Sequence, residues 1–193
     1  MSETLSRRAE RKTRQRTSNR NAILEAARRV AAREGTGALS LRAVAAEAGY
    51  APASVYEYFQ NRAELVLALA AEDLSQFARA LRDAAPGSLQ GAARSAFDSL
   101  CGSAALAAAA AALERSDVPS EAERLFNGRL IAALTAFADA AGRAAPKSRD
   151  EQADVVLAAA SLIGLATLAR AGRLKALGFE ENDLIARLAA RFG

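Results

Sequence analysis

Alanine is the residue that most restricts the fold of this chain. The 193-residue sequence contains 52 alanines and only 4 prolines. Alanine gives up no rotamer freedom on entering a helix, whereas proline interrupts one. No segment alternates polar and apolar residues as a half-buried strand would, and no internal repeat is present. The sequence therefore predicts an all-α protein of about nine helices.

The residue types that are missing exclude several kinds of site. Without histidine the chain has no Ser-His-Asp or Cys-His nucleophile and no His-ligated zinc. Cys101 is the single cysteine, which excludes an internal disulfide and fits a reducing compartment. Acid–base residues do not cluster, so an enzyme on an all-α scaffold is the weakest hypothesis. We expect no catalytic residues, no metal and no cofactor.

No segment has the composition of a secretory signal or a membrane span. The N-terminal charges are not followed by an apolar stretch. The longest apolar run covers 15 residues, Val155 to Ala169, and includes Ser161 and Thr167. A bilayer span needs about 20 apolar residues. The run therefore predicts a buried helix of a soluble, cytoplasmic protein with no membrane partner.

Positive charge is concentrated at the N-terminal end. Residues 1–62 carry 12 Lys or Arg and 6 Asp or Glu, a net charge of +6, whereas residues 63–193 carry 14 and 16, a net charge of −2. This asymmetry suggests that the first third meets a polyanion. A solvated tail without a partner would give the same pattern. Residues 1–17 lack a hydrophobic period and are predicted to be a flexible basic arm.

The next part of the chain has the pattern of a helix-turn-helix. A long helix from Ser18 to Gly35 precedes two short helices, the first capped by Ser40 and ended by Gly49, the second opened by Pro52. A capped helix then runs from Asn61 to about Asp83, before Pro86-Gly87. The faces of the short helices divide into inward residues Val44, Ala45, Ala48, Val55 and Phe59 and outward residues Ala53, Ser54 and Glu57. An ordinary helical hairpin of an all-α core fits the same pattern.

Further helices follow. They are predicted over 88–115 with a break near Gly102, from Ser120 to Ala141, from Ser148 to Ala171, and from Glu180 to Phe192. Ser120 with Glu123, and Ser148 with Glu151, have the spacing of capping boxes. The helix over 150–171 is apolar nearly all round, so it must be buried on more than one side. A partner subunit or the core of a monomer would both bury it.

Residues 20–70 closely resemble the DNA-binding domain of the tetracycline-repressor (TetR) family. The features that match in one register are Ile23-Leu24, Ala26-Ala27, Gly35, Ser40, Arg42, Val44-Ala45, Ala48-Gly49, Val55-Tyr56, Tyr58-Phe59, Arg62 and Leu65. The sequence departs from the family's pattern at Tyr50 and Ala51, where Val and often Ser stand. It departs again at Tyr58 and Arg62, where His and Lys are frequent. The departure at Ala51 removes one possible cap and phosphate contact.

The resemblance implies a set of DNA contacts. Ser40 at a helix start and Arg62 bind phosphates, and Arg42 reads a base. The groove-facing tip of the recognition helix comprises Pro52, Ala53 and Ser54, and the aromatic contacts to sugar and phosphate come from Tyr56 and Tyr58.

The resemblance also implies two domains: a DNA-binding domain over 18–62, and an effector-binding and dimerisation domain over 63–193. Phe97, Cys101, Phe126 and Asn127 are candidate effector-pocket residues. Because no His or Trp is present and no Tyr follows Tyr58, we expect an apolar effector with few directed hydrogen bonds.

The leading hypothesis is a homodimeric, nucleoid-associated transcriptional repressor that a small apolar effector releases from a palindromic, double-stranded DNA operator. The alternative is an architectural DNA-binding protein that responds to no effector.

Overall fold

The structure, a computed structural model, describes residues 2–83, 87–113, 120–142 and 148–192. Within these ranges it contains ten α-helices, one 3-10 turn (Thr36–Ala38) and no strand, which confirms the all-α prediction. The helices in chain order are α1 Ser2–Glu34, α2 Leu41–Ala48, α3 Pro52–Tyr56, α4 Arg62–Asp83, α5 Leu89–Gly102, α6 Ala104–Leu113, α7 Glu121–Ala140, α8 Arg149–Arg170, α9 Arg173–Ala176 and α10 Glu181–Phe192.

The first helix is longer than predicted. Residues 2–17 do not form a separate irregular arm but continue α1 toward the N-terminus from Ser18. The hydrophobic period only reports where a helix packs, and residues 7–18 are exposed along their whole length. Arg, Lys, Gln and Glu are good helix formers, so α1 extends beyond its packed part. The basic residues therefore lie along a solvent-exposed helix.

Local signals set the ends of α2 and α3. The Ser40 hydroxyl accepts a hydrogen bond from the Ala43 amide at 3.1 Å and so caps α2. Gly49 ends α2 at a φ of +72°, where a side chain would be strained. Pro52 begins α3, which ends at Tyr56, before the buried Phe59.

Helix α4 links the N-terminal helices to the rest of the chain. Asn61 caps it, because its Oδ1 accepts from the Glu64 amide at 2.9 Å, and Glu64 Oε2 accepts from the Gln60 amide at 2.8 Å. Apolar residues cover one face of α4, which packs chiefly against α7 and α6. Pro86, the predicted stop after this helix, lies outside the described residues.

The remaining helices follow the predicted caps. Ser103 separates α5 from α6, next to the break predicted at Gly102, and the predicted end near 115 lies outside the described residues. Ser120 and Ser148 accept from the amides of Glu123 and Glu151, both at 3.1 Å. The single-turn helix α9 was not predicted; it begins after Gly172, whose φ is +67°.

Helix α8 is buried on one side only within the chain. Val155, Ala158, Leu162 and Ala166 face the core, whereas the opposite face exposes Val156, Leu157, Ile163 and Leu168. The prediction that this helix is buried on more than one side is therefore not met by a single chain. By length and composition alone α8 is long and apolar enough to cross a membrane, and 22% of its most apolar segment is buried in the protein. One such helix is weak evidence for a membrane span, since core helices have the same composition.

Candidate DNA-binding surface and effector cavities

Helix α3 lies on the surface with its outer side free. Val44, Ala45, Val55 and Phe59 are buried as predicted, and Ala48 is half-buried. Among the residues predicted to point outward, Ala53 and Glu57 are exposed. Other exposed residues of this segment are Pro52 and Tyr56, the latter at 50%, while Ser54 is half-buried. Small side chains therefore form the start of the helix, and a tyrosine projects from its end.

The start of α2 presents two polar side chains to solvent. Ser40 and Arg42 are both exposed, and Arg42 makes no ion pair with any residue that the structure describes. The capping bond uses a lone pair of the Ser40 hydroxyl and leaves its proton available. The free amides and the dipole at a helix N-terminus favour an anion there. This end of α2 can thus bind a phosphate while Arg42 reaches beyond it.

Asn19 of α1 connects the two ends of α3. Its Oδ1 accepts from the Tyr50 hydroxyl at 3.3 Å, and its Nδ2 donates to the Tyr58 hydroxyl oxygen at 3.2 Å. Tyr50 precedes α3 and Tyr58 follows it, so one amide side chain fixes both flanks of the helix. The Arg16 guanidinium also lies 5.8 Å from the centre of the Tyr58 ring. Sequence reasoning missed Asn19, because its two partners lie 31 and 39 residues away.

Arg62 has a structural task that the sequence did not predict. Its guanidinium donates to the backbone carbonyls of Leu39 at 3.0 Å and Thr36 at 2.8 Å. These bonds join the start of α4 to the turn before α2. The side chain is nevertheless exposed, and a guanidinium has five N–H donors. A phosphate contact is therefore compatible with both backbone bonds.

Ion pairs fix α2 against α1. Arg29 donates a hydrogen bond to the Glu47 carboxylate at 2.7 Å, and Arg33 donates to the same carboxylate at 3.1 Å. The hydrogen bond from Arg29, followed by that from Arg33, holds the pKa of Glu47 below its ordinary value. The angle between the first helix and the helix-turn-helix is thus set by charge as well as by the buried apolar residues.

A cleft lined by both polar and apolar side chains lies where α1, α4, α5 and α6 meet; we call it the junction cleft. Its volume is about 470 Å³, and its polar lining residues are Arg28, Asp73, Gln76, Ser99 and Ser103. Arg28 of α1 donates to Asp73 of α4 at 2.9 Å. The Ser103 hydroxyl, which caps α6, donates to the other Asp73 oxygen at 2.6 Å. One carboxylate therefore joins three helices.

A narrower cavity lies within the helical bundle; we call it the bundle cavity. It measures about 60 Å³ and is enclosed by apolar side chains of α4 to α8, with Ser99 as its polar lining residue. Leu134, Phe137 and Leu162 form part of its wall. Phe77, Ser99 and Leu106 line both this cavity and the junction cleft.

The four residues predicted for an effector pocket do not line the junction cleft or the bundle cavity. Phe97 and Phe126 are buried, Asn127 is exposed on α7, and none of the four lines the two cavities above. Burial, followed by the charge of Glu181, raises the pKa of the half-buried Cys101 thiol. Helical spacing could not show which apolar side chains line a space and which fill one.

Comparison with known proteins identifies the N-terminal domain and the fold. Residues 23–69 match the model of bacterial regulatory proteins of the tetR family. A TetR transcriptional regulator from Rhodococcus sp. RHA1 shares the fold at a TM-score of 0.71 and 20% identity, over 92% of this chain and 97% of that one. No curated protein matches the sequence.

Two regulators named FadR share the fold at lower TM-scores. The fatty acid degradation regulator FadR from Bacillus halodurans gives a TM-score of 0.59 at 17% identity, over 90% of this chain and 94% of its own. FadR from Bacillus subtilis, solved in complex with stearoyl-CoA, gives 0.52 at 20% identity, over 89% and 96%. Residues 23–69, which include α2 and α3, therefore match the DNA-binding domain of the tetR family, and the chain as a whole shares the fold of the regulators named above.

Proposed function

We propose that this regulator is a homodimeric repressor that a small apolar effector releases from a palindromic operator. The exposed apolar face of α8 carries the proposal. Val156, Leu157, Ile163 and Leu168 lie on one side of the helix, at exposures of 54%, 54%, 50% and 40%. A contiguous apolar patch of this kind marks an interaction site. A second copy of the same helix would cover it.

The small residues on this face favour a helix as the partner. Ala160 and Gly164 are exposed between the larger apolar side chains, so another helix can approach closely. The hydroxyls of Ser161 and Thr167 donate to carbonyls of their own helix, both at 2.8 Å, and so present little polarity to a partner. A two-fold pair of chains would place two recognition helices about one DNA turn apart. We therefore expect a palindromic operator, bound in the cytoplasm at the nucleoid.

In the proposed complex α3 enters the major groove. Pro52, Ala53 and Ser54 form its leading end, and Arg42 reads a base from the neighbouring helix. Ser40, Tyr56, Tyr58 and Arg62 contact the sugar–phosphate backbone. The exposure of these side chains supports the assignment, with Ser54 and Tyr58 the less accessible members. Because Tyr58 accepts from Asn19, its own proton is free to be donated to a phosphate oxygen.

The proposed effector site is the bundle cavity. Its wall is apolar, and Ile163 belongs both to this wall and to the exposed face of α8. A dimer would therefore close the cavity from outside. The similar Bacillus subtilis FadR binds stearoyl-CoA, a ligand with a long apolar chain, which supports a lipophilic effector for this fold.

Selection of bound DNA from a random pool, combined with sedimentation, tests the proposal. We expect a palindrome and a dimer. Leu157→Glu should give monomers and weaken operator binding by about 100-fold or more, because the two half-sites are no longer bound together. Ile131→Glu is the matched control, since Ile131 is 65% exposed but lies on α7. A charge at Leu162 would not test the interface, because this side chain is buried in the core of its own chain.

A dimeric Leu157→Glu protein with a normal melting curve would contradict the proposed interface. Binding of the pool without sequence preference would favour the architectural alternative. In the selected operator, Arg42→Ala should relax one base position, at a cost of about 1–3 kcal/mol, and leave the others unchanged.

A further inference from the structure

The junction cleft and the bundle cavity adjoin each other. Phe77, Ser99 and Leu106 line both, so the half-buried ring of Phe77 lies between a partly polar space and an apolar one. The larger space is open to solvent beside the exposed Gln76 and Ala80 of α4. A ligand that fills both therefore has an apolar part and a polar part, with the polar part nearer to solvent.

The charged side chains of the cleft belong to a cluster in which carboxylates outnumber guanidinium groups. Arg28 and Asp73 are the charged residues among its described lining. The donors of Arg28 are already directed at three carboxylates, those of Glu25, Glu72 and Asp73. Arg20 also pairs with this group, with its Nη1 3.7 Å from Glu72 Oε1. These three carboxylates and two guanidinium groups form one ion-paired cluster with a net charge of −1, and Arg28 and Asp73 are its members that line the cleft.

Asp73 has capacity for another donor. One of its oxygens accepts from Arg28 and the other from Ser103, whereas an ionised carboxylate has about four lone-pair positions. Ser99 and Gln76 add a hydroxyl and an amide to the same lining. A negatively charged group would meet Asp73, and Arg28, the cation among the described lining residues, is already paired with three carboxylates.

We propose that the effector is an amphiphile whose apolar part extends along the apolar wall of the junction cleft into the bundle cavity and whose head group lies at the polar side chains of the cleft, and that this head group carries N–H or O–H donors and no negative charge. The inference rests on the proposed function and specifies its ligand. It differs from an extrapolation of the stearoyl-CoA complex, whose head group is anionic.

The same site provides a route from ligand to DNA. A donor bound to Asp73 weakens the bonds of this carboxylate to Arg28 of α1 and to Ser103 at the start of α6, because it shares the negative charge that holds them. α1 also carries Asn19, which contacts both flanks of α3. A change in the Arg28–Asp73 contact thus alters the helix that positions α3. Since coupling is reciprocal, operator DNA must weaken effector binding by the same factor.

Three ten-carbon amphiphiles with different head groups test the proposal: decylamine, 1-decanol and decanoate. Each is titrated below its micellar concentration into the wild-type dimer by calorimetry and into the dimer–operator complex by fluorescence anisotropy. We expect decylamine and 1-decanol to bind and to release the operator. Decanoate should bind at least about tenfold more weakly than decylamine.

Two variants separate the head from the tail. Asp73→Asn should remove most of the preference for decylamine over 1-decanol, while Leu134→Trp, which fills the bundle cavity, should weaken both compounds equally. Release that persists in Leu134→Trp would identify non-specific action of the amphiphile and overturn the site. The wild-type comparison does not depend on the stability of either variant.

Decanoate as the tightest ligand would overturn the inferred head-group chemistry. No binding by any of the three would overturn the two-part site. Neither result affects the proposed dimer or its operator, because dimerisation and operator selectivity are measured without amphiphile. Loss of operator binding by the ligand-free protein would instead refute the proposed function.

Discussion

Helices α1–α3 and helices α4–α10 are held together in different ways. In the first group polar side chains bridge the helices. Glu47 accepts hydrogen bonds from Arg29 and Arg33, and Asn19 connects α1 to both flanks of α3. In the second, alanines and leucines fill most of the contacts. Directional bonds fix the orientation of a reading helix, whereas smooth apolar packing leaves cavities and an uncovered helix face. The two regions are thus suited to recognition and to response.

Two phenylalanines offer the largest test of this division. Phe59 is 2% exposed beneath Arg20, whose guanidinium is 5.5 Å from the ring centre, and Phe97 is 1% exposed beneath Arg94 at 5.6 Å. Each change to Ala should cost about 3–5 kcal/mol of stability. We expect Phe59→Ala to loosen the packing of α1–α3 and to abolish operator binding, while the protein remains a dimer.

Phe97→Ala should instead loosen α5 and its neighbours α8 and α10. Hydrogen exchange resolved by segment, with sedimentation and operator binding, measures both outcomes. If either variant raised exchange equally throughout the chain, the two regions would unfold as one unit and the comparison would fail.

Two serine caps provide a smaller and closely matched pair. Ser40 caps α2 and Ser148 caps α8, each through an amide bond of 3.1 Å. Replacement of either by Ala should cost about 1 kcal/mol in a denaturation followed by circular dichroism. Only Ser40→Ala should also weaken operator binding, by several-fold, because the Ser40 hydroxyl lies at the proposed phosphate site. Equal loss of DNA affinity in both variants would remove Ser40 from that site.

Local signals explain what could be predicted from the sequence. Caps such as Ser40, Ser120 and Ser148 act within four residues, and the turn at Gly49 needs only its own φ. The inward residues of α2 and α3 follow from helical spacing. All of these features are encoded by neighbours in the chain, so their positions were correct.

The features that escaped prediction depend on distant partners. Arg28 and Asp73 are 45 residues apart, and nothing in either local pattern indicates that they meet. The same holds for Arg62, which binds the carbonyls of a turn 23 and 26 residues earlier. The helical state of residues 2–17 was missed for another reason: these residues pack against nothing that would impose a period. The candidate pocket residues were chosen by side-chain type, which does not reveal the shape of a space.

Asn19 provides the smallest and most specific test. If its amide orients the Tyr58 hydroxyl toward DNA, then Asn19→Ala and Tyr58→Phe should each weaken operator binding, and the double variant should lose less than their sum. We expect a coupling of about 0.5–1 kcal/mol in a double-mutant cycle, the size of one hydrogen bond. Asn21→Ala is the control, because Asn21 is an exposed asparagine of the same helix. Additive losses would show that Asn19 and Tyr58 act independently on DNA, and the polar bridge would then stabilise the fold without directing the contact.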